Sequence, residues 1–490
     1  MQSRIRSLAS DTLIYGVFTV VGRFLTFFLT PIYSNYLTQI ELGDVTIFFS
    51  IIAFLNITFA LGMDSSFFRF YSKDDMAQTK KVFSTSYYTI GLMSVVISSL
   101  VFIFAENIAP TMSSLPNSVT LVRIAAFLPL LDSFLIIPMA MLRMTGKAKR
   151  FAWSRFAMII VAFTLNIWFV IGFHWGAEGV FWAQLISSVF GIFLFLPDLY
   201  RFLVFKFDKS LTLQMLRFGF PTMPAALSGM VLQVADRPIL KYLTTSDQSQ
   251  QVAIYSVNYR LAIPMMLFVS IFEYAWKPFY LSRYNDPDAK QLFSRVFTYF
   301  TLISVVLFLV IGFYIEFIVR MPFIGGNFIK SDYWSGMGII PIILFGYYFN
   351  GVFSNFAAGF HISKKTDYLP LVVGIAAIVN IAINFLTIPI WGIYGAAWAT
   401  FIAYFVSSSL LFLISRKVYP IEYNWSKILM VLLLMCVVYF PIAFFTNNMN
   451  LGLSFIIRTF GIIAFVSALF YFKFFTASEI KSIRSLFKKK

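Results

Sequence analysis

The sequence predicts an all-α integral membrane protein. About fourteen transmembrane helices form two pseudo-symmetric six-helix bundles plus two C-terminal helices. Three observations carry that prediction. The chain is 59% hydrophobic and 12% charged over 490 residues, with a mean hydropathy of +0.81. Soluble domains carry about 25% charged residues, and a soluble fold of this size lacks the interior to bury so much apolar surface. Apolar runs long enough to cross a bilayer, roughly 20 residues each, recur along the chain. A hairpin motif that begins at Trp175 returns at Trp391.

In chain order the predicted spans are 12–33, 45–63, 82–105, 119–141, 156–174, 178–199, 218–239, 251–274, 296–316, 337–360, 368–389, 394–414, 428–446 and 452–472. The first carries a cation at its middle, Arg23. A charge at that depth is costly and usually faces a watery cavity or a partner. Arg4 and Arg6 precede this span and no small-residue cleavage site follows it, so it reads as a retained signal-anchor.

The net charge of +17 follows the spans. With the N-terminus inside, basic residues fill every second loop: Arg69–Lys81, Arg143–Arg155, Arg201–Lys209, Lys277–Arg295, Lys364–Lys365, Arg416–Lys427 and the tail from Lys473. The outside loops hold only Lys241, Arg320 and Lys330. This asymmetry places both termini in the cytoplasm and requires an even span count. It also removes the case for nucleic acid, because the charge is not gathered into one groove-sized patch. The outside segments are short, so no large extramembrane domain is available for catalysis. The longest, 318–336, carries Pro322, Gly325 and Gly326 and is expected to be re-entrant or interfacial.

The internal repeat is Trp175-Gly-Ala-Glu-Gly-Val-Phe-Trp-Ala183 against Trp391-Gly-Ile-Tyr-Gly-Ala-Ala-Trp-Ala399, with Asn166 or Asn380 in the preceding span. Glycine and alanine let helices approach closely, and tryptophan anchors at the interface. The repeat, with a weaker echo of Tyr15-Gly16 and Pro31-Ile32 in Phe218-Gly219 and Pro238-Ile239, divides the chain. Residues 1–217 form one bundle, 218–415 the second, and 416–490 the last two spans and a basic tail. That tail suits contact with anionic lipid or simple solvation.

The first two spans carry TLIYG, PIYSNYL, ELGD and ALGMDSSFFRFY. In Pro31, Tyr33, Leu37, Glu41, Gly43, Gly62 and Arg69 they resemble the polysaccharide-export branch of the MOP superfamily, the O-antigen (Wzx) type of oligosaccharide-lipid flippase. The resemblance implies a MATE-like fold, a V-shaped pair of bundles with alternating access. Its implied cargo is an undecaprenyl-diphosphate-linked glycan, in a bacterial cytoplasmic membrane. It also implies polysaccharide polymerase and chain-length machinery as partners beside the membrane lipids.

Five arginines fall within spans: Arg23, Arg123, Arg237, Arg260 and Arg458. A lipid diphosphate needs cations held away from bulk water, and the planar guanidinium fork suits phosphate. All five are candidates to line a cargo cavity. Arg23 alternatively pairs with Asp132, while Arg123, Arg237 and Arg458 alternatively snorkel or pair with a neighbour such as Asp236. Asp132, Glu273 and Asp236 are the candidates for coupling to a proton or Na⁺ gradient, with an arginine partner as the alternative for each. Tyr15, Tyr33, Tyr255, Tyr259 and Trp276 are candidates to stack on sugars, or else pack. Pro129, Pro138, Pro221, Pro224, Pro264 and Pro341 mark expected bends.

No Walker A loop, H-E-x-x-H motif or hydrolytic triad is present, so neither an enzyme nor a cofactor is expected. Cys436 alone excludes an intrachain disulfide, and His174 and His361 offer little for a metal. A lipid II flippase and a MATE-type cation antiporter are the rival readings. An antiporter for cations should present a carboxylate-rich cavity, in contrast to these arginines.

Overall fold

The computed structural model describes residues 2–245, 247–447 and 449–475, with side chains from residue 18 onward except at 19. The tail beyond 475 and the side chains of Arg4, Arg6 and Tyr15 lie outside the described residues. The first half comprises α1 (Gln2–Tyr36), α2 (Gln39–Ala60), α3 (Met63–Phe70), α4 (Met76–Ile103), α5 (Ala105–Met112), α6 (Ser118–Met144), α7 (Ala148–Asn166) and α8 (Gly176–Phe202). A π-helical turn, Ile167–Gly172, ends α7. Next come α9 (Lys209–Gly219), α10 (Met223–Val234), α11 (Asp236–Leu243), α12 (Gln248–Leu261), α13 (Ile263–Arg283) and α14 (Ala289–Arg320). The chain closes with α15 (Ile340–Ile362), α16 (Tyr368–Trp391), α17 (Ile393–Val418), α18 (Trp425–Thr446) and α19 (Leu451–Tyr471).

Eleven helices are individually long and apolar enough to cross a membrane, and two bent pairs, α9–α11 and α12–α13, raise the total to thirteen. Beside these stands α1, whose 35 helical residues contain the Leu13–Ile32 run. The protein is a multi-pass membrane protein, and the span count agrees with the sequence.

The bends follow from proline. Pro238 has no N–H for the Val234 carbonyl, and its ring crowds that carbonyl, so α11 turns 58° from the preceding helix. Pro264 does the same to the Arg260 carbonyl, and α13 leaves α12 at 47°. Pro221 marks a single 3-10 turn between α9 and α10. Pro341 sits in the first turn of α15, where its missing N–H costs nothing. Pro129 and Pro138 lie inside α6, which continues through both.

The repeat is a packing device in both halves. Gly176 and Gly392 hold φ of +55° and +53°, positive values that favour glycine. Three residues on, a Cβ on Gly179 would approach Phe169 Cβ to 3.0 Å, and one on Gly395 would meet the Thr387 backbone at 2.5 Å. The hairpins close over these glycines. Asn166 and Asn380 are buried beneath, and Trp182 and Trp398 point outward.

The residues that carry the family resemblance have structural reasons as well. Thr38 and Glu41 form a reciprocal capping box at the start of α2. Glu41 also accepts a hydrogen bond from the Ala177 amide, tying that cap to the start of α8. Tyr33 donates to Asn166 Oδ1 at 2.6 Å. Gly43 and Gly62 lie where a Cβ would strike the Ser249 and Gly219 carbonyl oxygens, at 1.8 and 2.1 Å.

The segment 318–336 contains a small antiparallel hairpin, β1 (Pro322–Phe323) with β2 (Gly326–Asn327), and a 3-10 helix, Ser331–Ile339, that leads into α15. It seats on the end of α1, where Asn35 Nδ2 donates to the Asn327 carbonyl at 2.8 Å. The last two helices pack on α14. Arg458 is buried there, 2.8 Å from Glu316 and bonded to Thr446 and to the Phe313 carbonyl.

Candidate functional site

Three connected lobes, of about 410, 490 and 610 Å³, lie between the first half and the α10, α12 and α13 helices. Arg155 lines all three, Arg260 two of them and Arg23 one. They come from α7, the α12 bend and α1, and Arg143 at the end of α6 joins Arg155 in the third lobe, so four separate elements bring cations to one space. The break before Pro264 brings Arg260 to the cavity wall at the end of α12. Neither Arg155 nor Arg260 forms an ion pair among the described residues. Arg23 donates to Ser270 Oγ on α13 at 2.9 Å. Asn56 and Gln184 add neutral polar edges, and Asp132 and Asp64 are the acids of the lining.

Arg155 is the residue that sequence reasoning misplaced. Counting charges assigned it to a loop, but it lies two turns inside α7. The available signal was helical continuity: Ala148–Asn166 contains no helix-breaking residue between Arg155 and the apolar stretch.

The Arg23–Asp132 pairing does not form. Asp132 accepts from Ser188 Oγ at 2.6 Å on α8, while Arg23 faces α13. Glu273 sits on α13 one turn beyond Ser270, on the side of Arg23 and Lys277.

The other three span arginines lie outside the cavity lining because each has found a nearer partner. Arg123 pairs with Glu106 at 3.2 Å on the exposed outside of the bundle. Arg458 anchors the last two helices, as described. Arg237 is buried beside Asp236 at 2.8 Å, with its guanidinium 4.5 Å from the Tyr259 ring centre. Asp236 in turn accepts from the Tyr255 hydroxyl. Tyr255, Tyr259 and Trp276 are core residues, at 0%, 6% and 4% exposure, so no face is open to a sugar. Tyr33 reaches the cavity wall, but its hydroxyl is committed to Asn166.

The cavity is sealed at the face predicted to be outside. Asp44 of α2 is fully buried and accepts hydrogen bonds from Ser113, Ser249 of α12 and Lys241 of α11. The Lys241 ammonium lies 2.9 Å from Asp44 and also bonds the Met112 carbonyl. Lys241, expected in a loop, is therefore a buried link between the halves. At the opposite face Ser66 of α3 bonds the Met215 carbonyl, so α9 packs on the first half while α10 packs on α16.

A repeated helical bundle around a cationic cavity is the architecture of a membrane carrier. The chain belongs to the polysaccharide biosynthesis protein family, whose profile matches residues 8–285. Among solved structures it is similar to the lipid II flippase MurJ in an inward closed conformation. That match covers 94% of this chain and 99% of the other, at 18% identity and a TM-score of 0.73. An inward-facing multidrug resistance MATE transporter of the MOP superfamily matches over 81% of this chain and 94% of its own, at 14% identity and a TM-score of 0.63. A MOP superfamily transporter from Pyrococcus furiosus matches over 84% and 94%, at 15% identity and a TM-score of 0.58. These likenesses establish the MOP transporter fold. Among curated protein sequences none matches the chain.

Proposed function

We propose that the chain is a flippase. It carries an undecaprenyl-diphosphate-linked oligosaccharide from the inner to the outer leaflet of a bacterial cytoplasmic membrane, by alternating access, for surface polysaccharide synthesis. The observation that supports this best is the convergence of Arg23, Arg155 and Arg260 on one cavity. Permanently charged guanidinium groups there offset the cost of taking a diphosphate out of water, and their planar forks bind its oxygens in pairs. A cationic drug gains nothing from such a lining, which disfavours the antiporter reading.

In this reading both termini face the cytoplasm and the cavity loads from that side. The Asp44–Lys241 link must then break for release. Asp132, already within the cavity, is the best-placed carboxylate for a coupling proton or Na⁺, whereas Asp236 is occupied by Arg237. A polymerase and chain-length machinery would take the delivered glycan.

A second reading, lipid II as cargo, draws on the likeness to MurJ. One experiment separates the two. The purified protein is reconstituted in liposomes with a labelled lipid-linked oligosaccharide or with lipid II, and leaflet transfer is read with and without a proton or Na⁺ gradient. The expected result is transfer of the oligosaccharide lipid in preference to lipid II. Transfer of lipid II alone moves the assignment to the second reading, and transfer of neither overturns the proposal.

A further inference from the structure

A second cavity, of about 860 Å³, lies apart from the central one and shares no lining residue with it. It opens at the face predicted to be cytoplasmic, where α14 begins, the α17–α18 link crosses and the chain leaves α19. Its cations are Lys290 and Arg295 from α14 and Lys427 from α18. Glu422 is the acid of the lining, and it pairs with none of them. Tyr423 and the buried Ser294 supply hydroxyl edges.

Basic residues are common on this face, and a solvated positive surface is the ordinary explanation for them. One feature separates this group from that explanation: the three cations surround a concavity rather than a convex surface. Lys290 and Arg295 form no ion pair among the described residues, and Lys290 leans on the Tyr419 ring at 5.3 Å. The volume of the concavity falls within the about 300–1,000 Å³ of small-molecule sites, far more than one inorganic phosphate fills.

We infer that this crevice is a binding site for the phosphate headgroup of an anionic membrane phospholipid, seated between α14 and the two appended helices. The depth is right, because the half-exposed Trp425 beside it marks the polar–apolar boundary of the bilayer. Arg295 supplies the fork for a phosphate, Lys290 a point charge, and the hydroxyl edges suit a glycerol, while Lys427, which already donates to the Phe474 carbonyl and lies over its ring, adds positive potential from the wall. Basic pockets between spans are established sites for such headgroups. The site exists only because α18 and α19 are present, which gives those helices a use outside the two bundles.

The test uses the full-length protein in neutral detergent and counts retained lipids by native mass spectrometry. Phosphatidylglycerol or cardiolipin is titrated against phosphatidylcholine, with inorganic phosphate as a separate arm. The double variant Lys290→Gln/Arg295→Gln changes two exposed side chains and should lower affinity for the anionic lipid roughly tenfold or more. Glu422→Gln should raise it, an outcome that misfolding cannot mimic. Unchanged affinity in both variants overturns the site. Equal competition by inorganic phosphate replaces the lipid by a free anion and overturns the assignment. Phosphatidylcholine retained as tightly as phosphatidylglycerol overturns it as well.

Discussion

Lys241→Met tests whether the buried link at the outer-predicted face holds the two halves together. Asp44 is fully buried, and the Lys241 side chain is 11% exposed. Removing the ammonium leaves the carboxylate in place with two hydroxyl donors, from Ser113 and Ser249. Breaking one partner of a buried pair costs about 3–5 kcal/mol, because the remaining charge stays desolvated. That cost applies only while the face is closed, since an open face returns Asp44 to water. The closed-to-open equilibrium should therefore shift by roughly 150-fold to 5,000-fold. Val252, on α12 next to the link and 0% exposed, reports the opening. In a Cys436→Ser background, Val252→Cys should react slowly with a membrane-impermeant maleimide applied from that face. Adding Lys241→Met should accelerate the reaction by at least tenfold. The double change Asp44→Asn/Lys241→Met should recover much of the protection, because it removes the unpaired charge. An unchanged rate in folded Lys241→Met protein would refute the role of this pair as a latch.

The remaining predictions concern the cavity and the packing. Arg155→Gln and Arg260→Gln should each reduce leaflet transfer of the oligosaccharide lipid at least tenfold with normal membrane insertion, while Arg123→Gln leaves transfer unchanged. Arg155→Lys should restore it only in part, because an ammonium cannot bind two oxygens in a plane. Gly395→Ala should destabilise the α16–α17 hairpin by about 1–3 kcal/mol, as its Cβ meets rigid backbone. Gly392→Ala has open space around it, but its φ of +53° with ψ of −126° lies outside the left-handed helical region, so backbone strain alone should cost about 1–3 kcal/mol, and thermal unfolding in detergent reads both changes. Arg458→Met should release α18 and α19 from α14, read as faster proteolysis at the loop around 447–450, without abolishing folding of the preceding helices.

Much of the site's chemistry was readable before its geometry. Arg23 and Arg260 were suspect because a charge in an apolar run demands a reason. Arg155 escaped because it stands at a span's edge, where a positive residue already has an ordinary explanation. Lys241 escaped for the same reason at the other face. Arg123, Arg237 and Arg458 look the same as Arg23 along the chain, and only their neighbours in space, Glu106, Asp236 and Glu316, tell them apart. Of those three acids only Asp236 adjoins its arginine in sequence.

By itself the sequence determined the membrane class, the span count, the repeat and the family resemblance. These depend on composition, periodicity and local backbone demands, which are written residue by residue. Proline bends also belong there, since Pro238 and Pro264 act on carbonyls four residues back. Tertiary structure alone decided which arginines face a cavity, which carboxylate meets which base, and which face is sealed. Those outcomes depend on distances between helices far apart in the chain. A 47° bend at Ala262 is enough to set where Arg260 enters the wall that Arg155 and Arg23 complete.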